Sequence, residues 1–389
     1  MSVLVSEKAL CCGCSACYDI CPKSAISMVE DSEGFLYPTI NKDKCVNCGL
    51  CEKVCPTQNK QNSQSLMKAF AAYNTDEEIR LQSSSGGLFT LFAESILGNN
   101  GVVYGAAFDD NFEVEHIRIT NVENLNLLRG SKYVQSKLDG IFKLCKNDLE
   151  INKYVLFTGT PCQVAALKSY LKKDYVNLFC MDIICHGVPS RMVWRQYLEY
   201  RVNFAKSKIA QIAFRLKNEG WKQYAVKFTF ANSTAYCQKF QDDVFMNGFL
   251  KDLYLRPSCY NCQFKTKERV SDFTVADFWG IDKIHPEWDD DKGMTLLIVH
   301  SLKGNDLVES VKEKLFLKDV NLDEAISYNS SMTKSVAMNK KREAFFKENI
   351  NANNIEKIIG RYIKAHYSLR KRLSIWLRSR LRRMFKKNK

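Results

Sequence analysis

Two stretches decide how this chain begins: Cys11-Cys12-Gly13-Cys14-Ser15-Ala16-Cys17-Tyr18-Asp19-Ile20-Cys21-Pro22 and Cys45-Val46-Asn47-Cys48-Gly49-Leu50-Cys51-Glu52-Lys53-Val54-Cys55-Pro56. Each reads Cys-x2-Cys-x2-Cys-x3-Cys-Pro, the spacing that holds a 4Fe-4S cluster, and two copies predict a two-cluster module. Three thiolates in tight steps cap three corners of a cubane, and the fourth cysteine ligates the other cluster. The expected sets are therefore Cys11, Cys14, Cys17 and Cys55 for one cluster, and Cys45, Cys48, Cys51 and Cys21 for the other. Cys12 breaks the x2 step and reads as a spare thiol. A disulfide framework suits small secreted chains, whereas this one has 389 residues. Zinc sites pair two short cysteine steps and lack the third step and trailing Cys-Pro.

A hydrophobic content of 46% supports a sizeable core, and the length allows more than one domain. No apolar run approaches the roughly 18 residues of a membrane-spanning helix. The start, MSVLVSEKAL, is too polar and too short for a signal-peptide apolar region. Sixteen cysteines in this pattern predict a reducing, cytoplasmic setting. The net charge of +14 is local: Arg361 to Lys389 holds 12 Lys/Arg and no Asp/Glu, leaving 45 basic against 43 acidic residues elsewhere. A near-neutral body gives no footprint for specific nucleic-acid binding.

Residues 1–58 read as the two-cluster, ferredoxin-like α+β module, with a hairpin at Gly34–Pro38 between its halves. Thr57–Ser65 is polar and reads as a linker. From there to about residue 330, strand and helix periods alternate, which predicts an α/β domain. Strands are expected at 67–73, 101–108, 154–158, 176–184, 209–216, 224–231, 273–277 and 295–300. Helices are expected at 87–97, after Thr160-Pro161, and from Arg191 behind a Ser190 cap.

A third group of cysteines lies in this second region. Cys162 and Cys185 each follow a predicted strand, at the sheet edge where open α/β folds bind ligands. Cys162 also opens a helix, where the dipole favours thiolate. Cys259-x2-Cys262 completes a four-thiolate set, so Cys162, Cys185, Cys259 and Cys262 are candidates for a third 4Fe-4S cluster. The alternative is that Cys162 and Cys185 are buried core residues and the pair binds zinc or nothing. Cys145, Cys180 and Cys237 read as core residues. His186, next to Cys185, is read first as a hydrogen-bond partner of that cluster and second as a proton donor.

Ser83-Ser84-Ser85-Gly86-Gly87 precedes a helix, and such a turn can hold a phosphate on its amides. Arg129-Gly130-Ser131-Lys132-Tyr133 adds a cation, a turn and an aromatic ring. With these, SSSGGLFT, RGSKYVQS, GTPCQVAAL, CHGVPS, SCYNCQF and SDFTVADFWGI run in order over about residues 1–300, and the set resembles the beta subunit of coenzyme F420 hydrogenase/dehydrogenase. The resemblance implies an iron–sulfur flavoprotein oxidoreductase that passes electrons between 4Fe-4S clusters and FAD, so that residues 67–330 form a flavin-binding α/β domain. Its flavin-contacting residues would be Ser85, Gly86, Gly87, Gly130, Ser131, Lys132 and Tyr133. It implies a small-molecule or deazaflavin-type substrate, and a reduced ferredoxin or redox partner subunit as electron source. The alternatives are a non-catalytic electron-transfer subunit that docks on a partner enzyme, and a cluster-bearing interaction protein at the membrane surface. The family commonly shows Gly-Asp-Phe-Trp-Gly where this chain has Ala276-Asp277-Phe278-Trp279-Gly280, which predicts a less constrained turn at 276.

Residues 331–389 are expected to be a helical basic tail. Apolar residues from Tyr362 to Phe385 recur at steps of 3 and 4 amid Lys and Arg. That is the pattern of a basic amphipathic helix suited to an anionic membrane surface, hence a peripheral location at the inner face of the membrane.

Overall fold

The computed structural model describes residues 7–59, 62–63, 66–348 and 350–364. The N-terminal module contains strands β1 (Ile26–Glu30) and β2 (Leu36–Ile40), paired antiparallel. The connection between them turns at Gly34 (φ +84°), where an added Cβ would lie 2.5 Å from Met192 of the body. Glycine is needed there for both reasons.

The body follows in chain order as β3 (Lys68–Asn74), β4 (Val102–Phe108), β5 (Val114–Ile119), β6 (Val155–Gly159), β7 (Leu178–Ile183), β8 (Ile209–Leu216), β9 (Ala225–Phe230), β10 (Ala235–Lys239), β11 (Phe273–Asp277), β12 (Thr295–Val299) and β13 (Leu315–Asp319). Eight strands form one mixed sheet in the order β13-β3-β12-β11-β7-β6-β4-β5. Its centre, β4-β6-β7-β11, is parallel. The central strands are buried on both faces (β12, TLLIV, is buried throughout), as near-continuous apolar runs require. One face is covered by the helix Leu88–Gly98 and the other by Ile141–Glu150 and Pro161–Leu171.

A second sheet, β10-β9-β8, packs with the helices Arg191–Ala205, Val244–Leu250 and Ile355–Ile363 around Trp194, Phe214, Phe228, Phe245 and Tyr254. Ile355, Ile358 and Ile359 are buried in this core, and Tyr362 meets Phe345 edge-on at 5.7 Å. The rest of the basic segment, residues 365–389, lies outside the described residues.

All eight expected body strands are present, with ends shifted by one or two residues. Strands β5, β10 and β13 were not anticipated. They are edge strands of five or six residues; β10 and β13 are partly exposed, and β5 is interrupted by Glu115, His116 and Arg118. Cys145 and Cys180 are fully buried, but Cys237 is exposed, because β10 is an edge strand turned to solvent. At Ala276 the chain is a regular strand residue opposite Leu296. The constrained position is instead Gly280 (φ +84°), where a Cβ would strike the Tyr328 ring at 2.3 Å.

Candidate iron–sulfur sites and an adjoining cleft

Left-handed residues shape both cysteine runs at equivalent places. Gly13 and Asn47 precede the second cysteine of each run, and Ser15 and Gly49 follow it, all with φ between +54° and +69°. Each run then enters a short helix, Ala16–Ile20 or Leu50–Lys53. The reversals turn successive thiols to one side. Cys11, Cys14, Cys17 and Cys55 line one cavity, and Cys21, Cys45, Cys48 and Cys51 line another. Cys48 is exposed. The module is held to the body by polar contacts: Asp19 accepts from the amides of Gly140 (2.7 Å) and Phe142 (3.0 Å), and Glu33 pairs with Arg342.

A third cavity brings together Cys162, Cys185, Cys259, Cys262 and, unanticipated, Cys12. Cys162 sits in the first turn of its helix, behind a capping box between Thr160 and Gln163. Cys185 follows β7, and Cys259 belongs to the turn Pro257–Asn261. The helix dipole does not govern the Cys162 thiol. Its hydrogen bond with Cys12, then burial, push its pKa well up. Burial, then the neighbouring Cys259, Cys162 and Cys262, likewise raise Cys185, and burial pushes Cys259 up to about 12. Thiols this crowded shed their protons together only around a cation.

Arg256, Lys265 and Arg269 line this cavity, and no Asp or Glu does. Among the described residues, no three His, Cys, Asp or Glu side chains draw close enough to grip a single metal ion. The cysteines ring a space instead, a donor set that fits a multi-iron cluster better than zinc.

Beside it lies a cleft of about 350 Å³ at the C-terminal ends of β6, β7 and β11. The Ser83–Gly87 turn and the Arg129–Tyr133 loop, remote in sequence, face each other across it. They are bonded directly: the Ser131 amide donates to Ser84 Oγ at 2.7 Å. Gly87 (φ +86°) starts the helix Leu88–Gly98 with no side-chain cap, so its first amides remain available. Arg129 and Lys132 both line the cleft, and neither pairs with a carboxylate among the described residues. Met181, Ile183, Val188, Val275 and Trp279 supply an apolar wall.

Two residues hold these loops, and the sequence pattern had singled out neither. Arg215, on β8, is bidentate to Asp277 (2.7 and 3.0 Å) and donates to Tyr133 Oη and the Ser84 carbonyl, both at 3.2 Å. Its guanidinium lies 3.9 Å from the Tyr224 ring centroid. Lys217 donates to the carbonyls of Arg80, Ser85 and Lys292 at 2.6–2.8 Å, and burial lowers its pKa to about 7. A period-2 strand pattern gives no sign that one of its cations crosses to another sheet's cleft.

His116 also lines the cleft. Its Nε2 donates to the Thr158 carbonyl (2.8 Å), and Nδ1 faces Ser136 Oγ. His186 lines neither the cleft nor the five-cysteine cavity. Its Nε2 lies 2.7 Å from Asp252 and its ring meets Phe249 edge-on.

Residues 10–59 match the model of the 4Fe-4S dicluster domain, and residues 152–325 match that of the C-terminal part of the coenzyme F420 hydrogenase/dehydrogenase beta chain. Ferredoxin YfhL of Escherichia coli is 34% identical over 85 residues, covering 20% of this chain and 85% of that protein. The F subunit of F(420)H(2) dehydrogenase from Methanosarcina mazei is 21% identical over 201 residues, covering 47% of this chain and 57% of that protein. A chain of the F420-reducing NiFe hydrogenase complex from Methanosarcina barkeri aligns over 74% of this chain and 94% of its own, at 14% identity and a TM-score of 0.47.

The dicluster module and its ferredoxin relatives define an iron–sulfur electron-transfer protein. The chain belongs to the 4Fe-4S ferredoxins through its first 59 residues, and through residues 152–325 it is related to the coenzyme F420 hydrogenase/dehydrogenase beta subunits. No helix among the described residues is long and apolar enough to cross a membrane.

Proposed function

We propose that this protein is an iron–sulfur flavoprotein oxidoreductase that carries electrons from the exposed Cys48 end of its N-terminal module to FAD in the 350 Å³ cleft, there to reduce or oxidise a small molecule or deazaflavin-type carrier. The observation that carries this reading is that the last three sites on the route share walls. Cys12 and Thr57 line both the Cys11/Cys14/Cys17/Cys55 cavity and the five-cysteine cavity, and Thr160, Gln163 and Val188 line both the five-cysteine cavity and the cleft. One-electron centres held in this order would lie in contact distance of one another.

In this reading Cys11, Cys14, Cys17 and Cys55 hold the first centre, Cys21, Cys45, Cys48 and Cys51 the second, and Cys162, Cys185, Cys259 and Cys262 the third. FAD bound in the cleft would supply the exchange between single electrons and a hydride. The Ser83–Gly87 amides and Lys132 would take the pyrophosphate, and the apolar wall at Val188, Val275 and Trp279 would shield the ring from water. The source of electrons would be a reduced ferredoxin or a redox partner meeting the module near Cys48. Anaerobic purification with iron counting and flavin extraction tests the whole reading. About twelve irons and one FAD per chain are expected, and a count near eight removes the third centre.

Burial without a carboxylate partner lowers the Lys132 pKa to about 7. An anion selects the protonated amine, so binding above that pH requires proton uptake. The affinity of the flavin-stripped protein for FAD is therefore expected to fall as pH rises above about 7, by up to about tenfold per unit. Lys132→Gln should weaken binding and flatten this slope, measured by fluorescence titration. A slope unchanged by the substitution would remove Lys132 from the pyrophosphate site.

The charge of residues 361–389 supports a separate role at the anionic inner membrane surface. Deleting residues 365–389 is expected to abolish sedimentation with anionic vesicles while leaving iron and flavin in place. Binding by the intact protein should weaken with salt, since the screening length is about 8 Å at physiological ionic strength. An intact protein that ignores such vesicles at low salt would overturn this role.

A further inference from the structure

Arg256 has 0% exposure, yet no carboxylate pairs with it among the described residues. Four other buried arginines of the body are matched: Arg80 with Asp290, Arg191 with Glu113, Arg215 with Asp277 and Arg342 with Glu33. Arg269, which lines the same five-cysteine cavity, is also buried without a carboxylate in salt-bridge contact among the described residues, and donates to the Phe264 and Met332 carbonyls. Arg256 instead donates to the Cys11 carbonyl (2.7 Å), the Leu36 carbonyl (2.9 Å), Gln135 Oε1 (3.1 Å) and the Cys11 sulfur (3.6 Å). Its guanidinium lies 4.3 Å from the Tyr37 ring centroid. These neutral acceptors satisfy its hydrogens but not its charge, and an uncompensated buried charge is costly.

The position of the charge suggests what balances it. Arg256 touches the sulfur of Cys11, which lines the first cavity, and itself lines the five-cysteine cavity. Its carbonyl accepts from the Cys259 amide at 2.9 Å, so the residue is anchored to the third site through its own backbone. Gly13 leaves room for it, since a Cβ there would lie 2.7 Å from Nη1. The guanidinium thus stands between two sets of cysteines that would each carry net negative charge when they hold a cluster.

We propose that Arg256 is the shared counter-charge of the first and third iron–sulfur centres, raising the reduction potential of both together. This deepens the proposed function and rests on its third centre. A cation fixed between two anionic centres stabilises the added electron on either, while the second centre, beyond the first, is left nearly unaffected.

The test is an EPR-monitored redox titration of the intact, anaerobically purified protein, with iron counted in parallel. Arg256→Met is expected to lower the potentials of the first and third centres by about tenfold in equilibrium constant, about 59 mV for one electron, and to leave the second in place. Arg256→Lys should restore most of the shift. Should Arg256→Met lose iron, Gln135→Glu sets a carboxylate beside an intact Arg256, and the same two potentials should fall. Full iron with unmoved potentials in these variants would overturn the role of Arg256 and leave the proposed function standing. A wild-type count near eight irons would overturn the third centre, and the shared counter-charge with it, whatever the potentials do.

Discussion

Cys185→Ala is expected to lower bound iron by about four atoms per chain, from about twelve to about eight, while the visible signals of the N-terminal module persist. Cys185 lies at the end of β7, in the body, and its side chain faces Cys162, Cys259 and Cys262 rather than either N-terminal run. Removing it opens one corner of the proposed third site without touching the contacts that dock the module. Cys48→Ala removes a thiol from the outermost cavity instead, so its loss should spare the body and fall on the second centre. Cys12→Ala separates the two readings of the fifth thiol. An unchanged iron count keeps it a spare group beside Cys162, and a loss of about four makes it a ligand. Equal losses from all three variants, with a broadened thermal transition, would mean general unfolding rather than separate sites.

Arg215→Met is expected to have the largest effect on the cleft. The substitution leaves the Asp277 carboxylate, which also accepts from Trp221 Nε1 at 2.8 Å, without its buried partner. Breaking a buried ion pair by removing one side costs about 3–5 kcal/mol. The loss should appear as a lower midpoint in chemical unfolding. The same side chain ties the Ser84 carbonyl to the Tyr133 hydroxyl, so the purified protein should also lose most of its flavin. Arg215→Lys keeps a charge but not the fork, and should recover stability better than flavin content. Flavin retained in full by Arg215→Met would separate the loops from cofactor binding and leave Arg215 a purely structural residue.

Much of this protein is legible in one dimension. The ferredoxin module is written as a local spacing, because a cubane demands thiolates at fixed short steps and the left-handed turns between them need only neighbouring residues. The parallel centre of the large sheet is equally plain, since strands buried on both faces read as continuous apolar runs. Cys162, Cys185, Cys259 and Cys262 were identifiable from their place after strands and in a short step.

Only the tertiary structure determined which residues meet. Cys12 looked superfluous because its spacing fits no run; the docking of the module against the helix Pro161–Leu171 brings it to Cys162. Arg215 sits on a strand of the smaller sheet and Lys217 just past its end, and sequence carries no record that two sheets share a cleft. Arg256 follows an ordinary β-bridge segment, and its lack of a carboxylate becomes visible only when its neighbours in space are known. Local pattern encodes elements and metal-binding steps because those depend on neighbours in the chain. Charge balance and cavity walls depend on neighbours in space, and so had to wait for the fold.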